Sequence, residues 1–86
     1  MSRPRRMPSA KTRVRQGRAA EGRAAATLAL REGRTLRVSD RTDAEAGTVH
    51  HGLAATLVRL GVAQYPPEPN REGWIDTTMI AARVAA

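Results

Sequence analysis

The chain contains no cysteine and no phenylalanine, and only one tryptophan, one tyrosine and one lysine. Without cysteine there is no disulfide framework, and no thiolate can serve as nucleophile or metal ligand. Two aromatic residues, Tyr65 and Trp74, are too few for the base stacking by which single-stranded RNA is read. No apolar run approaches the roughly 20 residues that span a bilayer. The basic N-terminus is not followed by the apolar stretch of a secretory signal. Organellar presequences also begin arginine-rich and acid-poor, but Pro4 and Pro8 break the amphipathic helix such a segment needs. These absences lead us to expect a soluble cytoplasmic protein, bacterial or phage-encoded, with no membrane partner.

Acidic residues are scarce only in the first half. Residues 1 to 37 carry eleven basic side chains against Glu21 and Glu32, whereas the remainder carries four arginines against six carboxylates, for a net charge of +7. A basic segment joined to a near-neutral body is the electrostatic footprint of a protein that sits on a polyanion. The preference for arginine over lysine, together with abundant alanine and glycine, is what a GC-rich genome produces, so residue choice says little here. Clustering of the charge is the informative feature, because codon bias would spread it evenly.

The chain has 86 residues, enough for one small domain. Alanine supplies much of its apolar fraction, and large apolar side chains are few. Burying one contributes about 1.5–3 kcal/mol, while ordering each residue costs about 1–2 kcal/mol of backbone entropy. We therefore expect a marginal core that a homodimer or bound nucleic acid would complete.

Residues 1–16 combine Pro4 and Pro8 with six basic residues and little to bury, and are expected to form a disordered basic arm. Residues 17–86 are expected to form the domain. The alanine-rich stretch from Gly17 to Glu32 favours helix, with Gly33 as its stop. Thr35-Leu36-Arg37-Val38 alternates like a short strand. Thr42-Asp43-Ala44-Glu45 fits a capping box, and Val49, Leu53, Leu57 and Leu60 follow on one helical face, predicting a helix over about 43–60. Gly61 ends it, with Val62 folding back in a Schellman motif. Val62–Tyr65 and Trp74–Thr78 read as two strands around a proline-rich loop. Residues 80–85 suit a short helix capped by Thr77 or Thr78. Trp74 reads as the largest plug of the core.

In order, these elements give a mainly α fold with a small β-hairpin (α+β). They resemble a winged helix-turn-helix domain. Thr48-Val49, Leu53, Leu57 and Gly61-Val62, followed by a wing at about 62–77, carry the resemblance. It implies a recognition helix in the major groove, with wing and arm on phosphates. The interval from Val49 to Gly61 is one residue longer than usual in that family, and the turn before the recognition helix is missing. The resemblance makes Thr48, His50, His51 and Arg59 the contact residues of the helix and Asn70 and Arg71 those of the wing. Arg13, Arg15 and Arg18 would follow the backbone or enter a minor groove. The blander reading of His50-His51 is solvated surface, and that of Arg71 a soluble loop tip.

The implied function is non-catalytic binding of double-stranded DNA, in preference to RNA, by a small transcriptional regulator or a phage or plasmid accessory factor. No phosphate-cradling glycine loop, metal-ligand cluster or activated nucleophile points to an enzyme, a cofactor or a small-molecule substrate. Gly17–Glu21 with Ala24, Ala25 and Leu28 looks like the first helix of a small bacterial nuclease family, but that family's carboxylate cluster and downstream lysine are missing. Two alternatives remain. Thr35–Asp40 is similar to the strand of a ribbon-helix-helix repressor, in which Thr35, Arg37 and Ser39 would read the groove. A structural or assembly protein of a phage, nucleoid or ribosome would share the same charge footprint without sequence readout.

Overall fold

The computed structural model describes residues 10–84, with residues 11–16 as backbone alone. Helix α1 (Ala10–Arg31) is followed by β1 (Leu36–Ser39), β2 (Thr48–His50), α2 (His51–Arg59), β3 (Ala63–Gln64) and β4 (Met79–Ala82). The four strands form one mixed sheet in the order β2-β1-β4-β3, with β1 and β2 parallel and the other pairs antiparallel. None of the described helices is long and apolar enough to cross a membrane.

Local signals at the helix ends act as their chemistry requires. Gly33 has φ +86°, the left-handed conformation a helix stop needs. Its amide donates to the Leu30 carbonyl and that of Arg34 to Ala29, both at 3.0 Å, which is the Schellman pattern. The same motif closes α2. Gly61 (φ +76°) donates to Val58 and Val62 to Leu57, each at 3.0 Å. Helix α1 runs back to Ala10, so residues 10–16, expected in the arm, are helical. The rest of that arm lies outside the described residues.

The helix expected over 43–60 is instead a turn, a strand and a shorter helix. Asp43 and Thr48 exchange two backbone hydrogen bonds of 3.0 and 2.9 Å around the turn Ala44–Gly47. The expected capping box does not open a helix here. The Asp43 carboxylate accepts from the Ala46 amide at 3.1 Å, and the Thr42 hydroxyl accepts from the His50 amide at 3.0 Å. Gly47 at φ +78° and the β-branched pair Thr48-Val49 then favour extended chain over helix. Helix α2 begins only at His51, capped by the His50 imidazole, whose Nδ1 accepts from the Gly52 amide at 3.1 Å.

A second correction concerns the C-terminal segment. Met79–Ala82 is a strand where a helix was expected, and Trp74–Thr78 is loop where a strand was expected. Alanine's helix propensity loses to tertiary pairing. Strand β4 lies inside the sheet, with Ile80 opposite Leu36 and Ala82 opposite Ala63. The Thr77–Thr78 cap is absent. Instead, Asp76 Oδ1 accepts from both the amide and the hydroxyl of Thr78, which turns the chain into β4.

The pairing register gives the sheet two distinct faces. Leu36, Val38, Val49, Ile80, Ala63 and Ala82 share one face, which packs against Ala26, Ala29 and Leu30 of α1 and Ala54 and Leu57 of α2. The largest fully buried side chains are Leu30, Leu36, Leu57, Ile80 and Val49. Trp74 is 72% exposed and plugs no core. Leu60, expected on the apolar face of α2, is 58% exposed and lies just past the helix body, as its C-cap.

Candidate nucleic-acid interface

The opposite face of the sheet is open. The alternation that buries Leu36 and Val49 turns Arg37, Ser39, Thr48 and His50 to this face. Arg37 lies between Thr48 on one side and Met79 on the other, and Ser39 lies beside His50. Arg37 is exposed, and Thr48, His50 and Ser39 are half-buried. The Thr48 hydroxyl donates to the Asp43 carbonyl at 3.3 Å.

His51 opens α2 immediately beyond this face. Its ring lies against that of His50, with centroids 4.0 Å apart and planes inclined at 35°. Thr48, His50 and His51 therefore converge at the β2–α2 junction, although Thr48 is a strand residue and His50 is a cap, not part of the helix body. Sequence reasoning assigned Arg37 only to the ribbon-helix-helix alternative. The signal that places it here is its alternation with the buried Leu36, combined with a strand pairing that only the fold reveals.

The remaining candidates lie elsewhere. Arg59 is exposed in the last turn of α2, about 12 Å along the axis from His51 at 1.5 Å per residue. The exposed surface of α2 between them offers only Gly52 and Ala55. Asn70 and Arg71 sit in the loop 65–78. Asn70 is structural, because its Oδ1 accepts from the amides of Glu72 at 3.1 Å and Trp74 at 2.9 Å, pinning the loop tip. Its carbonyl takes the Gly73 amide at 2.9 Å, and Gly73 has φ +83°. Arg71 is exposed at this tip. Arg18 is exposed on α1 and borders a shallow depression that Glu21, Asp43 and Glu45 also line. Arg13 and Arg15 are positions of α1, and their side chains lie outside the described ones.

Among the described residues no three His, Asp or Glu side chains cluster as metal ligands, and every buried side-chain polar atom among them has a hydrogen-bond partner. The Asp76 carboxyl has a lowered pKa. Hydrogen bonds from the hydroxyl and amide of Thr78 hold its carboxyl below the ordinary carboxylate value. It lies at the entrance to β4, where this bonding serves the turn.

Strand β1 is paired on both edges, by β2 and β4. A ribbon-helix-helix dimer needs that strand free to pair with a second copy, so this geometry does not suit that alternative. No protein-family model matches this sequence, and no curated protein or solved structure is detectably similar to it.

Proposed function

We propose that the protein binds double-stranded DNA without catalysis, as a small regulator or a phage or plasmid accessory factor. The observation that carries this reading is the basic helix α1. Over its 22 residues, about 33 Å long at 1.5 Å per residue, it holds Lys11, Arg13, Arg15, Arg18, Arg23 and Arg31 against Glu21 alone. Among its described side chains, the first buried one is Ala26. A helix anchored at one end and basic along the rest tracks phosphates well, since each neutralised phosphate releases counterions.

The element order supports a winged-helix-like variant. Strand β4 runs antiparallel to both of its neighbours, β1 and β3, α2 precedes the β3–β4 pair, and the loop 65–78 would serve as the wing. The turn Ala44–Gly47 and β2 stand where the first helix of a helix-turn-helix would be. In this reading His51 and Arg59 of α2 face the groove, Thr48 and His50 flank it, and Arg71 meets phosphate from the loop.

A second reading, binding without sequence preference, is favoured by one observation. The exposed face of α2 presents Gly52 and Ala55 between its two polar side chains, which is little with which to read base edges. Binding of the full chain to random duplex DNA, random single-stranded RNA and heparin across a salt series tests both. We expect a preference for duplex, and for R13A/R15A/R18A a log-log salt slope shallower by about 2–3, close to one per phosphate contact removed. Alanine preserves helix propensity at those positions. An H51A/R59A variant that lowers duplex affinity supports the α2 contact. If that variant is silent and the three polyanions bind alike, the basic helix is a generic tether.

A further inference from the structure

Helices α1 and α2 leave an open groove of about 340 Å³ between them. Ala20 and Ala24 line it from α1, and Leu57 and Val62 from α2 and its exit turn. Leu28 and Leu60 stand beside it, each 58% exposed. Single exposed leucines are ordinary, but two large side chains bordering one apolar groove form a patch of the kind that marks a contact surface. The alanine positions let another backbone approach closely.

Charge identifies the occupant. Arg23 and Arg31 also line the groove. They are eight residues apart on one side of α1, which is about 12 Å along the axis. A second copy of this chain would bring arginine-rich helix against arginine-rich helix, a like-charge contact that costs binding energy. A segment with an apolar stripe and flanking carboxylates meets no such penalty. The groove from Ala20 to Arg31 is about 17 Å long, or roughly three helical turns.

We propose that this groove docks an acidic amphipathic helix of a partner protein, with its apolar side chains between Leu28 and Leu60 and its carboxylates toward Arg23 and Arg31. The groove is distinct from the β2–α2 junction but shares Arg23 and Arg31 with the basic helix of the proposed function, so a nucleic acid lying along that stretch of α1 would compete with the peptide. Apolar contacts supply the affinity, and the arginines supply orientation and rate of encounter.

The test uses the full chain and a synthetic helical peptide of about fifteen residues, with leucines at i, i+4 and i+7 and glutamates on both flanks. A control peptide carries lysine at each glutamate. By fluorescence anisotropy and amide chemical-shift mapping, the acidic peptide should bind with Kd of order 10–100 μM. Shifts should centre on Ala20, Ala24, Leu28, Leu57 and Leu60, and the lysine peptide should be at least about tenfold weaker. Leu28→Gln and Leu60→Gln, both at exposed positions, should each weaken binding by about tenfold with an unchanged far-UV CD spectrum. Three outcomes overturn the proposal. One is no saturable binding of the acidic peptide below about 1 mM. Another is equal binding of the two peptides. The third is a dimer in sedimentation that Leu28→Gln or Leu60→Gln converts to monomer, which would give the groove to a second copy.

Discussion

Replacing Trp74 by alanine should barely change stability, whereas replacing Ile80 should remove a large share of it. Ile80 is completely buried at the centre of β4, opposite Leu36. Truncating such a side chain to alanine costs about 2–5 kcal/mol, because the lost transfer energy is joined by the cost of an incompletely collapsed cavity. A chain of this length has a total stability of roughly 4–13 kcal/mol, and among the described residues only five large side chains are fully buried. The loss is thus of order a third or more of the whole, equivalent to a Tm lower by roughly 10 °C or more. Trp74 would be the costliest truncation, about 3–5 kcal/mol, if it were a core plug. At 72% exposure it has little apolar contact to lose. Its fixed contacts are backbone groups, with the Trp74 amide on Asn70 Oδ1 and its carbonyl accepting from the Asn70 amide at 2.8 Å. Alanine keeps both, so the expected change is within about 0.5 kcal/mol. Urea unfolding followed by far-UV CD measures both variants, and acrylamide quenching of the native tryptophan should resemble that of the unfolded chain. A W74A loss above about 2 kcal/mol, or an I80A loss below about 1 kcal/mol, would refute this account of the core.

Two further outcomes follow from the turn chemistry. His50→Ala removes the acceptor for the Gly52 amide and should cost about 0.5–2 kcal/mol, as loss of an N-cap does, with His50→Asn recovering most of it in urea denaturation. Asp76 should titrate below the ordinary carboxylate value, because the Thr78 hydrogen bonds favour its charged form. A depressed folded-state value means this contribution is present above the unfolded pKa and is lost as pH falls through the folded one. In an NMR titration the Thr78 amide shift should follow the Asp76 carboxyl carbon, with a midpoint under 3.8, and T78A should move that midpoint upward.

Both helix stops were legible in the sequence because a Schellman motif depends on residues within one turn of each other. Gly33-Arg34 and Gly61-Val62 needed no partner from elsewhere. The strand at Leu36 showed by its alternation, and His51, Ala55 and Arg59 are exposed on α2 as the helical angles imply. The interval 43–50 misled because its signals are degenerate. A threonine hydroxyl and an aspartate carboxylate cap a helix or close a turn with the same atoms, and here Thr42 and Asp43 close the turn. The spacing of Val49 and Leu53 matches a helix, yet Val49 is buried from a strand.

The charge asymmetry, the basic character of α1, the stops at Gly33 and Gly61 and the scarcity of large apolar side chains are all legible along the chain, since each is a property of composition or of neighbouring residues. Only the tertiary structure decided that Met79–Ala82 is a strand, that Trp74 faces solvent, and that Arg37 lies beside Thr48 near His50. Those outcomes depend on which segments pair across the sheet. Leu36 opposite Ile80 is a contact between residues remote in sequence, and no local preference of either residue encodes it.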